Sequence, residues 1–190
     1  MIALAQKTLG LALALQMMVL LPLAAQAHGS SRQKVIEAVE IDAPAAAVWK
    51  AVGNFQDMSW LPGVVQTEGE GGDTPDAAHR KIVLQGGGAV KESLYKYDAE
   101  EMSYSYRIDD VDVKVLPVNN YSSTIIVLPE PGGKSKVEWR GAFYRGDPND
   151  NPPPELNDET AIAAVQALYR KGLDNLKKQV ELKQKAEATH

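Results

Sequence analysis

The chain has no cysteine among its 190 residues, only three histidines and two phenylalanines, and no cluster of basic residues. Each shortage removes a class of function. Without thiols there is no cysteine nucleophile, no Cys-based zinc site and no disulfide, so packing alone must hold the fold. Residues 28–190 keep 19 of the 20 basic side chains and all 25 acidic ones, a formal charge of −6. That balance argues against nucleic acid or an anionic membrane surface as partner and suits docking onto a basic protein. Long apolar runs are equally scarce, with one exception at the start of the chain.

That exception is Leu9 to Ala24, preceded by Lys7 and followed by Ala25-Gln26-Ala27. A lone positive charge, an apolar stretch and a small-x-small site together read as a cleavable signal peptide over residues 1–27. Gln16 and Pro22 interrupt the run, which disfavours a spanning anchor. The expected product is a periplasmic protein beginning at His28, with no membrane association after cleavage. Its domain is expected over residues 28–184, ahead of a polar tail at 185–190.

Gln33 to Ile41 suits a strand. Asp42 resembles a helix N-cap ahead of Pro44 and the apolar stripe Val48, Trp49, Val52, and a second short helix is expected over Phe55 to Ser59. Between residues 64 and 143, period-2 alternation broken by Gly, Pro, Asp and Asn predicts strands at 64–70, 79–84, 89–97, 102–108, 121–128 and 134–143. Gly86-Gly87-Gly88, Asp98-Ala99-Glu100 and Glu130-Pro131-Gly132-Gly133 are the hairpin turns. Asp147 to Glu155 is too proline-rich for regular structure. Beyond it Ile162, Val165, Leu168, Tyr169, Leu173, Leu176 and Val180 recur at helical spacing, with Asn157 or Asp158 as cap. The fold class is α+β: a curved antiparallel sheet of six to seven strands wrapped on a long C-terminal helix, with two short helices after the first strand. Such a sheet and helix tend to enclose a cavity.

Several phrases carry a resemblance: Ile41-Asp42-Ala43-Pro44 with Val48-Trp49, Trp60-Leu61-Pro62, Gly87 to Glu92, Tyr104 to Ile108, and Val137-Glu138-Trp139-Arg140. Together they resemble the START/Bet v 1-like helix-grip superfamily, which includes polyketide cyclase-like proteins. Leu116 to Thr124, Trp139 to Gly146 and Pro152 to Glu159 are similar to MxaD-type periplasmic accessory proteins of methanol oxidation. That resemblance implies a non-enzymatic helper of a quinone-dependent methanol dehydrogenase and its c-type cytochrome, with no cofactor of its own. The same fold also hosts cyclase or dehydratase enzymes and carriers of small hydrophobic ligands, which stay open as alternatives.

Candidate site residues follow from the alternation. Tyr104 and Tyr106 share one strand face, and Trp139 and Phe143 another, so their rings should meet inside the sheet's concavity, as a ligand cavity or as plain core. Trp60 either guards the mouth, anchors a partner or packs its loop. Glu92 is the polar candidate, with Arg107 or Arg140 as its expected partner, because a buried charge needs one. Asp147, Asp150 and Glu155 are candidates for contact with a basic partner. His79 reads as a surface residue, and Asp109, Asp110 and Asp112 as a solvated turn lacking the glycine of a calcium loop. A copper site at a free His28 N-terminus is a weak metal candidate.

Overall fold

The computed structural model describes residues 29–189. The expected signal peptide and His28 lie outside the described residues. Seven strands, β1 (Gln33–Ile41), β2 (Val64–Glu70), β3 (His79–Leu84), β4 (Ala89–Asp98), β5 (Ser103–Val111), β6 (Val118–Glu130) and β7 (Lys134–Arg145), form one antiparallel sheet in the order β1-β7-β6-β5-β4-β3-β2. Consecutive strands from β2 to β7 pair as hairpins, and β1 closes the far edge against β7. The alternation responsible is clearest in β7, where Ser135, Val137, Trp139, Gly141, Phe143 and Arg145 are buried and the residues between them are not. Gly86, Gly87 and Gly88 all take φ near +90°, which explains a triple glycine at the β3–β4 turn.

Helix α1 (Ala45–Val52) and the long α2 (Asp158–Glu187) pack on the sheet. The Asn157 side chain caps α2 by accepting from the Thr160 N–H at 2.8 Å. Buried Ala161, Val165, Tyr169, Leu173, Leu176 and Val180 form its inner face. The helix continues to Glu187, past the point where the apolar pattern stops and into the first residues of the expected polar tail.

Three further expectations are corrected. The N-cap position of α1 is Pro44, without a side-chain cap, while Asp42 uses its backbone N–H to bind Glu181. No second helix forms over residues 55–59. There Asn54 and Asp57 accept from Gln56 N–H and Ser59 N–H, and Asp73 takes the Phe55 N–H, so side chains bind the donors a helix would need. The proline-rich loop does contain regular structure, a 3-10 turn over Pro154–Leu156.

Two glycines set the height of α2 above the sheet. A Cβ at Gly141 would lie 2.2 Å from the Tyr169 hydroxyl, and one at Gly172 would lie 2.8 Å from the Trp139 ring. With both absent, Trp139 and Tyr169 stack at 4.2 Å between ring centroids, 11° from parallel.

Candidate functional site

Between α2, the residue 58–61 loop and strands β3 to β7 lies a cavity of about 80 Å3. Met58, Leu61, Ile82, Leu84, Ile108, Leu116 and Leu168 supply apolar wall, and Glu92, Tyr106, Tyr121 and Trp139 supply the polar atoms. Ligand pockets usually measure about 300–1,000 Å3. The aromatic rings fill most of the space that a wider separation of helix and sheet would leave. A surface crevice of about 320 Å3 between α1 and the end of α2 is larger, but exposed Lys50, Gln179 and Lys183 dominate its walls.

The electrostatic centre is an ion pair buried at one end of the cavity. Arg80 and Glu92 face each other across the β3–β4 ladder. Both Nε and Nη2 of Arg80 approach Glu92 Oε2 at 2.6 Å, and Nη1 donates to the Phe55 carbonyl at 2.5 Å. The guanidinium also lies over the Phe55 ring at 4.1 Å and the Tyr106 ring at 5.0 Å. Burial pushes the Glu92 carboxyl upward, and the adjacent Arg80 charge opposes that shift. Among the described residues no hydrogen bond reaches Glu92 Oε1.

Two hydroxyl chains surround this pair. Trp139 Nε1–H donates to Tyr106 Oη at 3.1 Å. On the other side, Ser123 Oγ donates to the Arg140 carbonyl at 2.8 Å, which commits its only proton. Ser123 must therefore accept from Tyr169 at 3.0 Å, and Tyr169 in turn accepts from Tyr121 at 2.5 Å. Burial raises Tyr106, Tyr121 and Tyr169 well above the ordinary phenol value and pushes Tyr104 up to about 12, so all four keep their protons near neutral pH.

The sequence-nominated residues divide around this geometry. Glu92, Tyr106 and Trp139 line the cavity, whereas Trp60, Tyr104 and Phe143 sit behind it in the core. Trp60 packs edge-on against Trp139 at 5.2 Å and is 1% exposed, so it is not a surface anchor. Tyr104 packs against Phe55 and Trp49, and Phe143 stacks on Tyr121. The partner of Glu92 is Arg80 rather than Arg107 or Arg140, both of which point outward to Asp109 and Glu138. Alternation held the signal for Arg80, since it shares a strand face with Ile82 and lies between exposed His79 and Lys81. Tyr121 held the same signal, being in phase with buried Ser123, Ile125 and Val127, while the bulge between Asn119 and Ser122 breaks the pattern before it.

His79 is exposed as expected, with Nδ1 against Ser93 Oγ, which in turn donates to Asp109. Asp110 pairs with Lys91, and Asp112 accepts from the Lys114 N–H. Among the described residues no group of three His, Cys, Asp or Glu side chains could hold a metal. Asp147, Asp150 and Glu155 lie on the loop before α2. That loop is organised by buried Arg145, which donates to the Asp147 and Asn149 carbonyls and to Asp158 Oδ2.

Residues 32–181 match the family described as polyketide cyclase / dehydrase and lipid transport. The chain belongs to that family. Among solved structures it is similar to XoxI from Bacillus cereus, at 29% identity over 77% of this chain and 94% of that one, with a TM-score of 0.65. An uncharacterized protein from Bacillus thuringiensis is alike to the same degree, 29% identity over 78% and 98% of the two chains and a TM-score of 0.65. Norcoclaurine synthase from Thalictrum flavum, at 17% identity over 83% and 99% with a TM-score of 0.58, shares the Bet v 1-like fold. No curated protein matches this chain in sequence. As in the fold's other members, a curved sheet grips a C-terminal helix, and the expected helix-grip architecture is the observed one apart from its second short helix.

Proposed function

We propose that this chain is a non-enzymatic periplasmic accessory protein of methanol oxidation, assisting a quinone-dependent methanol dehydrogenase in passing electrons to its c-type cytochrome. The likeness to XoxI, spanning nearly all of that chain, carries the accessory reading. The methanol-oxidation context rests on the phrases Leu116 to Thr124 and Trp139 to Gly146. A small cavity argues in the same direction, because about 80 Å3 leaves little room for a polyketide or a lipid chain. The acidic loop bearing Asp147, Asp150 and Glu155 offers a face for a basic partner. Deleting the gene and measuring methanol-dependent reduction of the cytochrome tests this role. Slower electron transfer, restored by the gene in trans, is the expected result; an unchanged rate removes the proposal.

One observation favours a second reading, an enzyme of the cyclase or dehydratase kind. Glu92 and Tyr106 line the same cavity, and among the described residues no hydrogen bond reaches Glu92 Oε1, an arrangement open to acid–base work. Arg80 opposes this reading by fixing the carboxylate in an ion pair. A conversion abolished by both Glu92→Gln and Tyr106→Phe would establish the enzyme.

A further inference from the structure

The hydrogen-bond directions around the cavity define what it can hold. Arg80 occupies Glu92 Oε2 alone, so Oε1 is an open acceptor. Tyr106 accepts from Trp139, which leaves the Tyr106 proton to be given away. Tyr121 spends its proton on Tyr169, because Ser123 commits its own to the Arg140 carbonyl, and so Tyr121 has an oxygen lone pair to offer. The cavity therefore presents acceptor, donor and acceptor on one side and leucine, isoleucine and methionine on the other. A hydroxyl group answers the first set, since it donates and accepts at once.

Charge and volume narrow the class further. Arg80 already balances Glu92, so an ammonium would bring an unpaired charge into a buried site, at a large desolvation cost. An engineered apolar cavity of about 150 Å3 holds benzene, so a space about half as large suits roughly three or four heavy atoms. One water answers the three polar groups but leaves the apolar half of the wall without contacts, and a short carbon chain attached to the hydroxyl fills that half as well.

We infer that this cavity binds a neutral, short-chain alcohol, its hydroxyl shared between Glu92 and Tyr106 and its carbons against Leu61, Leu116 and Leu168. The size limit departs from the long apolar ligands suggested by the family's description. The inference does not depend on the accessory role, and either can fail alone. A protein of this kind would take up or sense a small alcohol without converting it.

The test uses the purified protein and 1-propanol as probe, followed by NMR through the methyl groups of Leu116 and Leu168 and the indole N–H of Trp139. Saturable shifts with a dissociation constant on the order of millimolar are expected, as befits so few atoms. Neither 1-chloropropane, which lacks the donor, nor propylammonium, which carries a charge, should shift these signals at the same concentrations. Tyr106→Phe should weaken 1-propanol about tenfold, and Leu168→Phe, which puts a larger side chain on the apolar wall and leaves the polar set intact, should abolish its binding. The inference is overturned if 1-propanol moves none of the three signals, which would leave ordered water as the occupant. Equal binding of 1-chloropropane, or tighter binding of propylammonium, overturns it too. Should Tyr106→Phe fail to fold, the comparison of the three probes on the unaltered protein still decides.

Discussion

Arg80 and Glu92 are each unaffordable alone in the core and acceptable together. Replacing Arg80 by Ala would leave the Glu92 carboxylate buried without a counter-charge, and a loss of about 3–5 kcal/mol is expected in urea unfolding. The double replacement Arg80→Met with Glu92→Leu should recover most of that loss, because an apolar pair of similar volume needs no desolvation repaid. If the double variant is as unstable as the single one, the pair contributes through packing shape instead. Glu138 illustrates the opposite electrostatic case on the outer face. Hydrogen bonds from Arg140 and then Lys136 hold its carboxyl below the usual range. A lowered folded-state value means stability that is present above the ordinary carboxylate pKa and lost as pH falls through the lowered one. Glu138→Gln should therefore flatten the acid limb of a plot of urea midpoint against pH, by a small amount for a group so near solvent.

At the scale of elements, the contact that matters most is α2 against β7, and it depends on what is missing from Gly141. Adding a methyl there drives Cβ into the Tyr169 hydroxyl, and the stacked Trp139 ring gives that side chain no room to retreat. Gly141→Ala should cost about 1–3 kcal/mol in urea unfolding. In the Tyr169→Phe background the colliding oxygen is gone, so the same change should cost clearly less, and a double-mutant cycle reads the difference as coupling. Additive losses would place the strain elsewhere. This contact also marks how far the sequence could be read. The limits of β1, β2 and β3 were legible to the residue because each run ends at a turn, even though β2 shows no period-2 burial. The two strands of the β5–β6 hairpin extend beyond their expected limits, β5 to Val111 and β6 from Val118, because register shifts next to them break the period-2 pattern. The false helix at residues 55–59 failed on side-chain competition from Asn54 and Asp57, which local composition does not rank. In the site, Glu92, Tyr106 and Trp139 were legible from face-sharing. The inward position of Arg80 was legible in the same way, but its pairing with Glu92 required knowing which residues face each other across the β3–β4 ladder, and the cavity's small volume required knowing that Gly141 and Gly172 meet aromatic rings. Those are facts of pairing in space.

For the molecule as a whole, charge is arranged along α2 in the sense of its own dipole. Asp158 and Glu159 stand in its first turn beside Asp147, Asp150 and Glu155, while Lys177, Lys178, Lys183 and Lys185 gather toward its other end. The acidic end is also a held surface: Arg145 fixes the loop's carbonyls, so Asp150 and Glu155 project from an ordered scaffold at little entropic cost to binding. A basic partner would be steered to that end, and steering of this kind fades with ionic strength. If the proposed accessory role holds, capture of a methanol dehydrogenase or its cytochrome from periplasm, with this protein as bait, should therefore be strongest at low salt. It should fall steeply as salt shortens the screening length to about 8 Å at physiological strength. Reversing Asp150 and Glu155 to Lys should reduce the association rate by about tenfold or more at low salt. It should have little effect on urea stability, because both side chains are exposed. Retention of full capture by the reversed variant would move the docking face away from this loop. The lysine-bearing end of α2 would then be the next surface to reverse, and capture that strengthened rather than weakened with salt would exclude charge steering at either end.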